Sequence, residues 1–140
     1  MDRSAEARWT GDLKTGQGNI KLGSRAFESP YSFTSRFENG QGTNPEELLG
    51  AAHAGCFSMA LSLALSLVGH PPTSVTTTAT VHLAKVGAGF AIAGINLRTR
   101  GVVPGVSASE FQRLAEDTKV NCIISKALAA VPMQLDAQLT

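Results

Sequence analysis

The order of hydrophobic and polar positions predicts three short strands in the first part of the chain. Residues 5–14, 18–22 and 31–37 carry aromatic or β-branched side chains, and stretches containing glycine or proline separate them. In the third segment Phe33, Ser35 and Phe37 would share one face, which is consistent with a half-buried strand. A polar, glycine-rich loop follows this segment.

The strongest pattern predicts a long helix. Asn44 can cap it, because Pro45 suits the first helical position and Glu47 lies three residues after the cap. Thr43 with Glu46 is an equally good capping pair by spacing. Gly69, with two prolines beyond it, ends the helix. The predicted helix has about 25 residues and is therefore roughly 37 Å long.

This helix has no charged residue between Leu48 and Val68. The segment is long enough for a membrane span. We reject that interpretation, because no lysine or arginine flanks it, no tryptophan or tyrosine belt is present, and His53 and several serines interrupt it. A helix that is apolar on all sides should be buried on all sides. A single small domain can hardly cover it, whereas two copies packed together could.

The remaining segments complete an α+β pattern. Residues 74–86 and 90–103 predict a hairpin in which Val81 lies near Ile95. Strands that cluster in sequence instead of alternating with helices indicate the α+β class.

The last part of the chain predicts a helix, a shorter helix and a strand. Ser107 and Glu110 have the spacing of a capping box at the start of the first helix. The second helix spans 125–130, and residues 133–139 alternate like a strand. The length suits a single domain over residues 1–140.

The composition and charge of the chain exclude several classes of protein. Of the 140 residues 43% are hydrophobic and 16% are charged, which excludes general disorder. The net charge is only +1, so there is no basic field to bind nucleic acid. The first twenty residues are polar and lack the apolar segment of a signal peptide, so we expect a cytoplasmic protein with reduced thiols.

The two cysteines are the main candidates for chemistry. Cys56 lies near the middle of the long helix, where it could be a core residue or a reactive thiol. An apolar site raises the pKa of a thiol, so a reactive Cys56 would need a nearby cation. Cys122 precedes the short helix, whose N–H groups favour a thiolate.

Metal binding is the competing interpretation. His53 and Cys56 share a helix face, and His70, His82 and Cys122 could complete a ligand set. Because no two of these residues have the spacing of a zinc finger or knuckle, we expect no metal. We therefore interpret His53 as a residue on the helix face with a hydrogen-bonded ring nitrogen. No nucleotide-binding loop is present.

The charged residues near the start of the long helix can also be explained without a role in chemistry. Arg36 could be an exposed strand arginine. Glu46 and Glu47 could simply stabilise the start of the helix through its dipole.

The segments 36–37 (RF) and 42–61 (GTNPEELLGAAHAGCFSMAL) closely resemble the OsmC family of hydroperoxide peroxidases, which includes the organic hydroperoxide resistance proteins. The resemblance extends through the chain, with further matches at 9–12, 77–79 and 88–92. It implies an intertwined α+β homodimer with antiparallel sheets around a long buried central helix, with active sites at the subunit interface.

The resemblance also implies roles for four residues. Cys56 looks like the peroxidatic cysteine and Cys122 like the resolving one, which would form a disulfide with it. Arg36 and Glu46 look like the paired charges of the site. One position departs from the pattern, because Ile123 stands where the family commonly has proline.

The implied activity is the reduction of organic hydroperoxides, with recycling by a dithiol such as a lipoyl group and with no cofactor, nucleic acid or membrane involved. The alternative is a dimeric, non-enzymatic binder of an apolar or thiol-bearing small molecule near Cys56.

Overall fold

The computed structural model describes residues 1–140, which form two compact units. The first unit comprises residues 1–48 and the second comprises residues 49–140. The expectation of one domain over residues 1–140 stays a prediction.

The first unit contains an antiparallel sheet of β1 (Ala5–Thr10), β2 (Gln17–Leu22) and β3 (Glu28–Tyr31), in that order. β1 ends four residues earlier than the predicted segment. The cause is Asp12, whose side chain accepts hydrogen bonds from the N–H groups of residues 14 and 15 at 2.8 and 3.0 Å. This local turn competes with continued strand pairing.

The predicted strand over residues 31–37 is wrong, because most of it forms the short helix α1 (Phe33–Phe37). The N–H of Ser35 donates to Ser32 Oγ at 3.1 Å, and the N–H of Ser32 donates to Ser35 Oγ at 2.9 Å. This reciprocal cap satisfies the first free N–H groups of the helix. Arg36 therefore lies on a helix and not in a strand.

The helix α2 (Pro45–Leu67) begins where the sequence predicts. Asn44 caps it, since the N–H of Glu47 donates to Asn44 Oδ1 at 2.8 Å. Two residues beyond its end, Gly69 has a φ of +86°, in the left-handed region that glycine adopts without strain.

Within one chain α2 is buried along a single face. The buried residues recur every three or four positions, as expected for a helix packed on one side, and they are Gly50, His53, Phe57, Leu61 and Leu65. The opposite face leaves Met59, Leu63 and Leu67 exposed by 77%, 61% and 77%. One chain thus covers only part of its most apolar helix.

By length and composition α2 is also the one helix that would suit a membrane span. Phe57, Leu61 and Leu65 are fully buried in the core of the second unit. Core helices of soluble proteins combine length and apolar composition in the same way.

The second unit contains a sheet of β4 (Ser74–Val86), β5 (Gly89–Val102) and β6 (Met133–Leu139), in that order. Val81 lies opposite Ile95 in the β4–β5 hairpin, which confirms the predicted pairing. β6 runs parallel to β5, so this sheet is mixed and the expectation of purely antiparallel sheets is wrong for it. The parallel pair is possible because two helices carry the chain back between these strands.

Those helices are α3 (Ala108–Asn121) and α4 (Ile123–Ala127). The N–H of Glu110 donates to Ser107 Oγ at 3.2 Å, which confirms Ser107 as the cap of α3. The Glu110 carboxylate accepts from Arg113 instead of closing the predicted capping box. α4 begins two residues earlier than predicted, so Cys122 is the single residue between the two helices. The α+β class is confirmed.

Candidate active site

Cys56 and Cys122 meet in the second unit. Cys56 is half-buried on α2, and Cys122 is buried at the junction of α3 and α4. Both are free thiols, and their sulfurs are 3.0 Å apart. A disulfide bond is about 2.05 Å long. The two sulfurs would therefore need to approach by only about 1 Å to bond.

The surroundings of the two sulfurs differ. Burial and the adjacent Cys122 raise the pKa of Cys56, whereas the N–H groups of Ile124 and Ile123 act in the opposite direction. Burial disfavours a thiolate on Cys122 too, but the neighbouring Cys56 and Ser125 outweigh it and lower the pKa of Cys122. The two adjacent thiols therefore titrate as a pair, and their surroundings favour the thiolate more at Cys122 than at Cys56.

Ile123 is the first residue of α4, so its backbone N–H is not needed within the helix. That N–H is among the groups that lower the pKa of Cys56. A proline at the same position would suit the helix start but would have no N–H. The side chain of Ile123 is 78% exposed.

His53 and Ser125 form a second contact beside the cysteines. His53 Nε2 and Ser125 Oγ are 2.8 Å apart, and both residues are buried. This contact agrees with the expectation of a hydrogen-bonded ring nitrogen, whose partner Ser125 was not predicted. A usable signal existed, because His53 precedes Cys56 by three residues and Ser125 follows Cys122 by three.

The residues weighed as metal ligands do not come together. No three His, Cys, Asp or Glu side chains converge to hold a metal ion. His70 Nδ1 instead lies 3.2 Å from the carbonyl oxygen of Pro104.

Arg36 and Glu46 form an ion pair in the first unit. Arg36 Nη2 donates to Glu46 Oε1 at 2.7 Å, and Arg36 Nε lies 3.2 Å from each carboxylate oxygen. The side chains are 38% and 11% exposed, respectively. A forked contact of this kind holds the guanidinium plane in one orientation.

The start of α2 is fixed by its connections to α1. Ser35 Oγ donates to the carbonyl oxygen of Thr43 at 2.8 Å, and Asn44 Nδ2 donates to the carbonyl oxygen of Ser35 at 3.2 Å. These bonds hold the residues beside Arg36 and Glu46 in place. The four predicted site residues thus form two pairs, with the charges in the first unit and the thiols in the second.

An open apolar groove of about 780 Å³ lies over the thiol pair. Its walls come from α2 and from the junction of α3 and α4, and they include Cys56, Met59, Leu63, Cys122 and Ile123. A groove with apolar walls favours an organic group over water. Chemically, the arrangement offers two adjacent thiols, both of which border a place for an apolar ligand.

Comparison with known proteins gives a consistent result. A model of the family described as OsmC-like protein matches residues 38–136. Peroxiredoxin OsmC from Escherichia coli (strain K12) is 49% identical over 140 residues, which cover 99% of this chain and 97% of that protein.

More distant relatives are named organic hydroperoxide resistance proteins. The organic hydroperoxide resistance protein of Xanthomonas axonopodis pv. citri (strain 306) is 34% identical over 89 residues, covering 63% of this chain and 61% of that protein. The crystal structure of an organic hydroperoxide resistance protein from Elizabethkingia anophelis aligns with a TM-score of 0.78 and 25% identity. That alignment covers 98% of this chain and 96% of the other.

Proposed function

This chain belongs to the OsmC family, and we propose that it is a thiol-dependent peroxidase that reduces organic hydroperoxides to alcohols. The names of its relatives, peroxiredoxin and organic hydroperoxide resistance protein, support a peroxidase role in the defence against oxidative stress. The observation that carries the proposal is the pair of free thiols 3.0 Å apart beneath an apolar groove.

The proposed reaction begins at Cys56. Its thiolate attacks the hydroxyl-side oxygen of the hydroperoxide, the O–O bond breaks, and the alkoxide leaves and takes up a proton to become the alcohol. Cys56 is then a sulfenic acid. The thiol of Cys122 displaces hydroxide from it, so a disulfide and one water are formed.

A dithiol completes the cycle. It reduces the Cys56–Cys122 disulfide by two successive exchange steps and leaves as its own cyclic disulfide. A lipoyl-type dithiol fits this role, because its apolar chain suits the apolar groove. We place this chemistry in the cytoplasm, where dithiols are kept reduced.

Cys56 requires a cation to become the nucleophile, because burial and Cys122 raise its pKa. We propose that Arg36 supplies it, held in orientation by Glu46. The guanidinium would also stabilise the charge that develops on the leaving alkoxide.

We further propose that Arg36 and Glu46 serve Cys56 of a second copy of the chain. Glu46 and Cys56 are ten residues apart on the continuous helix α2, which corresponds to roughly 15 Å along its axis. In a homodimer with antiparallel α2 helices, the start of one helix lies near the middle of the other. The exposed apolar face of α2 supports such a dimer. Because Met59 and Leu63 of this face also line the groove, the partner chain would form part of the groove wall.

A turnover assay with cumene hydroperoxide and dihydrolipoamide, run beside hydrogen peroxide, tests the proposed activity. We expect faster turnover of the organic substrate. Cys56→Ser should abolish turnover, whereas Cys122→Ser should still be oxidised once at Cys56, as mass spectrometry would show. A parent protein that binds cumene hydroperoxide without reducing it would instead indicate the non-enzymatic binder.

Complementation tests the shared site. Cys56→Ser and Arg36→Ala are each expected to be inactive, and they can be unfolded and refolded together. Half of the randomly paired dimers then hold both variants, with one intact site of two, so about a quarter of the parental activity should return. No recovery, with heterodimers present by native mass spectrometry, would place the whole site within one chain.

A further inference from the structure

Two side-chain contacts join α2 to the segment formed by Cys122 and α4. His53 Nε2 lies 2.8 Å from Ser125 Oγ, and the sulfur of Cys56 lies 3.0 Å from that of Cys122. His53 precedes Cys56 by three residues, whereas Ser125 follows Cys122 by three. Three residues are close to one helical turn, so the two contacts are neighbours along an antiparallel pairing of the two segments. The proposed peroxidase cycle uses only the contact between the thiols.

The contact between His53 and Ser125 is closed to water. His53 has no exposed surface, and Ser125 is 3% exposed. The other ring nitrogen, Nδ1, has no hydrogen-bond partner, so the contact through Nε2 is the one that orients the ring. The α4 side chains Ile124 and Leu128 pack on the hydrophobic core, and apolar contacts have no preferred direction. Sliding α4 along α2 would leave two buried polar groups unpaired, which is costly, so this contact defines the register of the two helices.

The position of Cys122 depends on that register, because its backbone is bonded to both neighbouring helices. Its carbonyl oxygen accepts from the N–H of Lys126 at 2.9 Å, and its own N–H donates to the carbonyl oxygen of Thr118 at 2.9 Å. Displacement of α4 by one residue along its axis would move Cys122 by roughly 1.5 Å. That displacement exceeds the approach of about 1 Å that separates the two sulfurs from a disulfide bond.

We propose that His53 and Ser125 are positioning residues whose buried contact fixes the register of α4 on α2, and so holds the sulfur of Cys122 where it can attack the oxidised form of Cys56. The catalytic meaning of this assignment rests on the proposed peroxidase function. The fixed register does not, because the two thiols are already adjacent in the reduced protein.

The contact matters most after the first oxidation, when two reactions compete for the sulfenic acid of Cys56. In one, the thiol of Cys122 attacks the oxidised sulfur, a disulfide forms and water leaves. In the other, a second hydroperoxide transfers its outer oxygen to that sulfur, which gives the sulfinic acid and a second molecule of alcohol. A dithiol reduces only the disulfide, so a fixed Cys122 protects Cys56 from irreversible oxidation.

Trapping the sulfenic acid tests the positioning role. After addition of cumene hydroperoxide, dimedone labelling and mass spectrometry measure how much Cys56 is sulfenic acid, disulfide or sulfinic acid. Ser125→Ala should slow disulfide formation about two- to tenfold, the loss expected for one hydrogen bond, and should raise the sulfinic fraction at excess hydroperoxide. The first oxidation of Cys56 should change less than the disulfide step, because Cys122 takes no part in it.

Substitution of the second partner tests whether both residues act through one contact. His53→Leu should slow the disulfide step in the same way, and it should add little to Ser125→Ala. Ser125→Thr keeps a hydroxyl and should retain the parental rate. Thr118→Ala is the matched control, since Thr118 is buried one turn before Cys122 but its hydroxyl donates to the carbonyl oxygen of Leu114 at 2.7 Å. A parental disulfide rate in Ser125→Ala, or an equal loss in Thr118→Ala, would overturn the proposal.

Two further measurements do not depend on peroxidase activity. In the reduced protein the N–H groups of Lys126 and Leu128 are bonded within α4. They should exchange with deuterium faster in Ser125→Ala, whereas the N–H groups inside α3 should keep their parental protection. Diamide forms the disulfide without a hydroperoxide, and the same two- to tenfold slowing is expected with it.

Parental exchange in α4 together with a parental diamide rate would refute the assigned register role, whatever the enzyme does. A protein that shows both changes but does not reduce cumene hydroperoxide would refute only the peroxidase function.

Discussion

The exposed apolar face of α2 offers the sharpest test of the proposed homodimer. Leu63 lies in the middle of this face between Met59 and Leu67, and 61% of its surface is exposed on a single chain. In a dimer formed through α2 this surface would be buried. We predict that Leu63→Asp converts the protein to monomers while leaving each chain folded.

The expected loss of dimer stability in Leu63→Asp follows from the exposed area of Leu63. Complete burial of a leucine side chain contributes about 1.5–3 kcal/mol, so the 61% of Leu63 that one chain leaves open corresponds to roughly 1–2 kcal/mol. A symmetric dimer contains the residue twice, which gives roughly 2–4 kcal/mol. Lost burial alone would then weaken dimerisation roughly thirty- to several-hundred-fold. The desolvation of two carboxylates adds to this effect.

Sedimentation equilibrium over a range of concentrations measures this change, and circular dichroism checks the fold. Leu13→Asp is the matched control, because Leu13 is also 61% exposed but lies in the loop after β1. The reasoning is refuted if Leu63→Asp retains the parental dissociation constant, or if Leu13→Asp weakens the dimer equally.

Three other perturbations address the site and its surroundings. Arg36→Lys should lose about tenfold or more in kcat/KM for cumene hydroperoxide with an unchanged melting temperature, because lysine keeps the charge but not the forked contact with Glu46. Ile123→Pro should raise the pKa of Cys56, measured by its alkylation rate against pH, because the N–H of residue 123 is removed; an unchanged rate profile would contradict this. Burial lowers the pKa of His53 below the ordinary histidine value of about 6.5, so the unfolded chain binds the proton first and the free energy of unfolding should fall as pH drops below that value. Denaturant titrations at pH 7.5 and 5.5 should show this loss, and His53→Leu should reduce it.

The sequence predicted those elements whose signals are local. The start of α2 depends on Asn44 and Glu47, and the β4–β5 hairpin depends on alternation that placed Val81 opposite Ile95. Such patterns involve only a few neighbouring residues, so tertiary packing does not change the elements that they predict. α1 was missed because Ser35 replaces the glutamate or glutamine that usually marks a capping box, and two aromatic residues favoured a strand instead.

The site required tertiary information. Resemblance to the family supplied the four candidates, but the 3.0 Å approach of the thiols depends on how α4 packs against α2. The link between His53 and Ser125 spans 72 positions of the sequence. The three-residue spacing of each from a cysteine suggests the pair only once the two cysteines are known to meet. Parallel pairing of β6 with β5 likewise depends on the path of two helices, which strand alternation alone does not encode.

The residue after the second cysteine shows how a substitution can act on a distant position. Isoleucine and proline are both compatible with the first position of a helix, because the N–H at that position has no partner within the helix. In this chain the N–H of Ile123 is among the groups that lower the pKa of Cys56. Replacement of the usual proline therefore leaves the start of α4 intact and adds a donor to the proposed nucleophile. That donor acts in the same direction as the cation we assign to Arg36, because both favour the thiolate of Cys56.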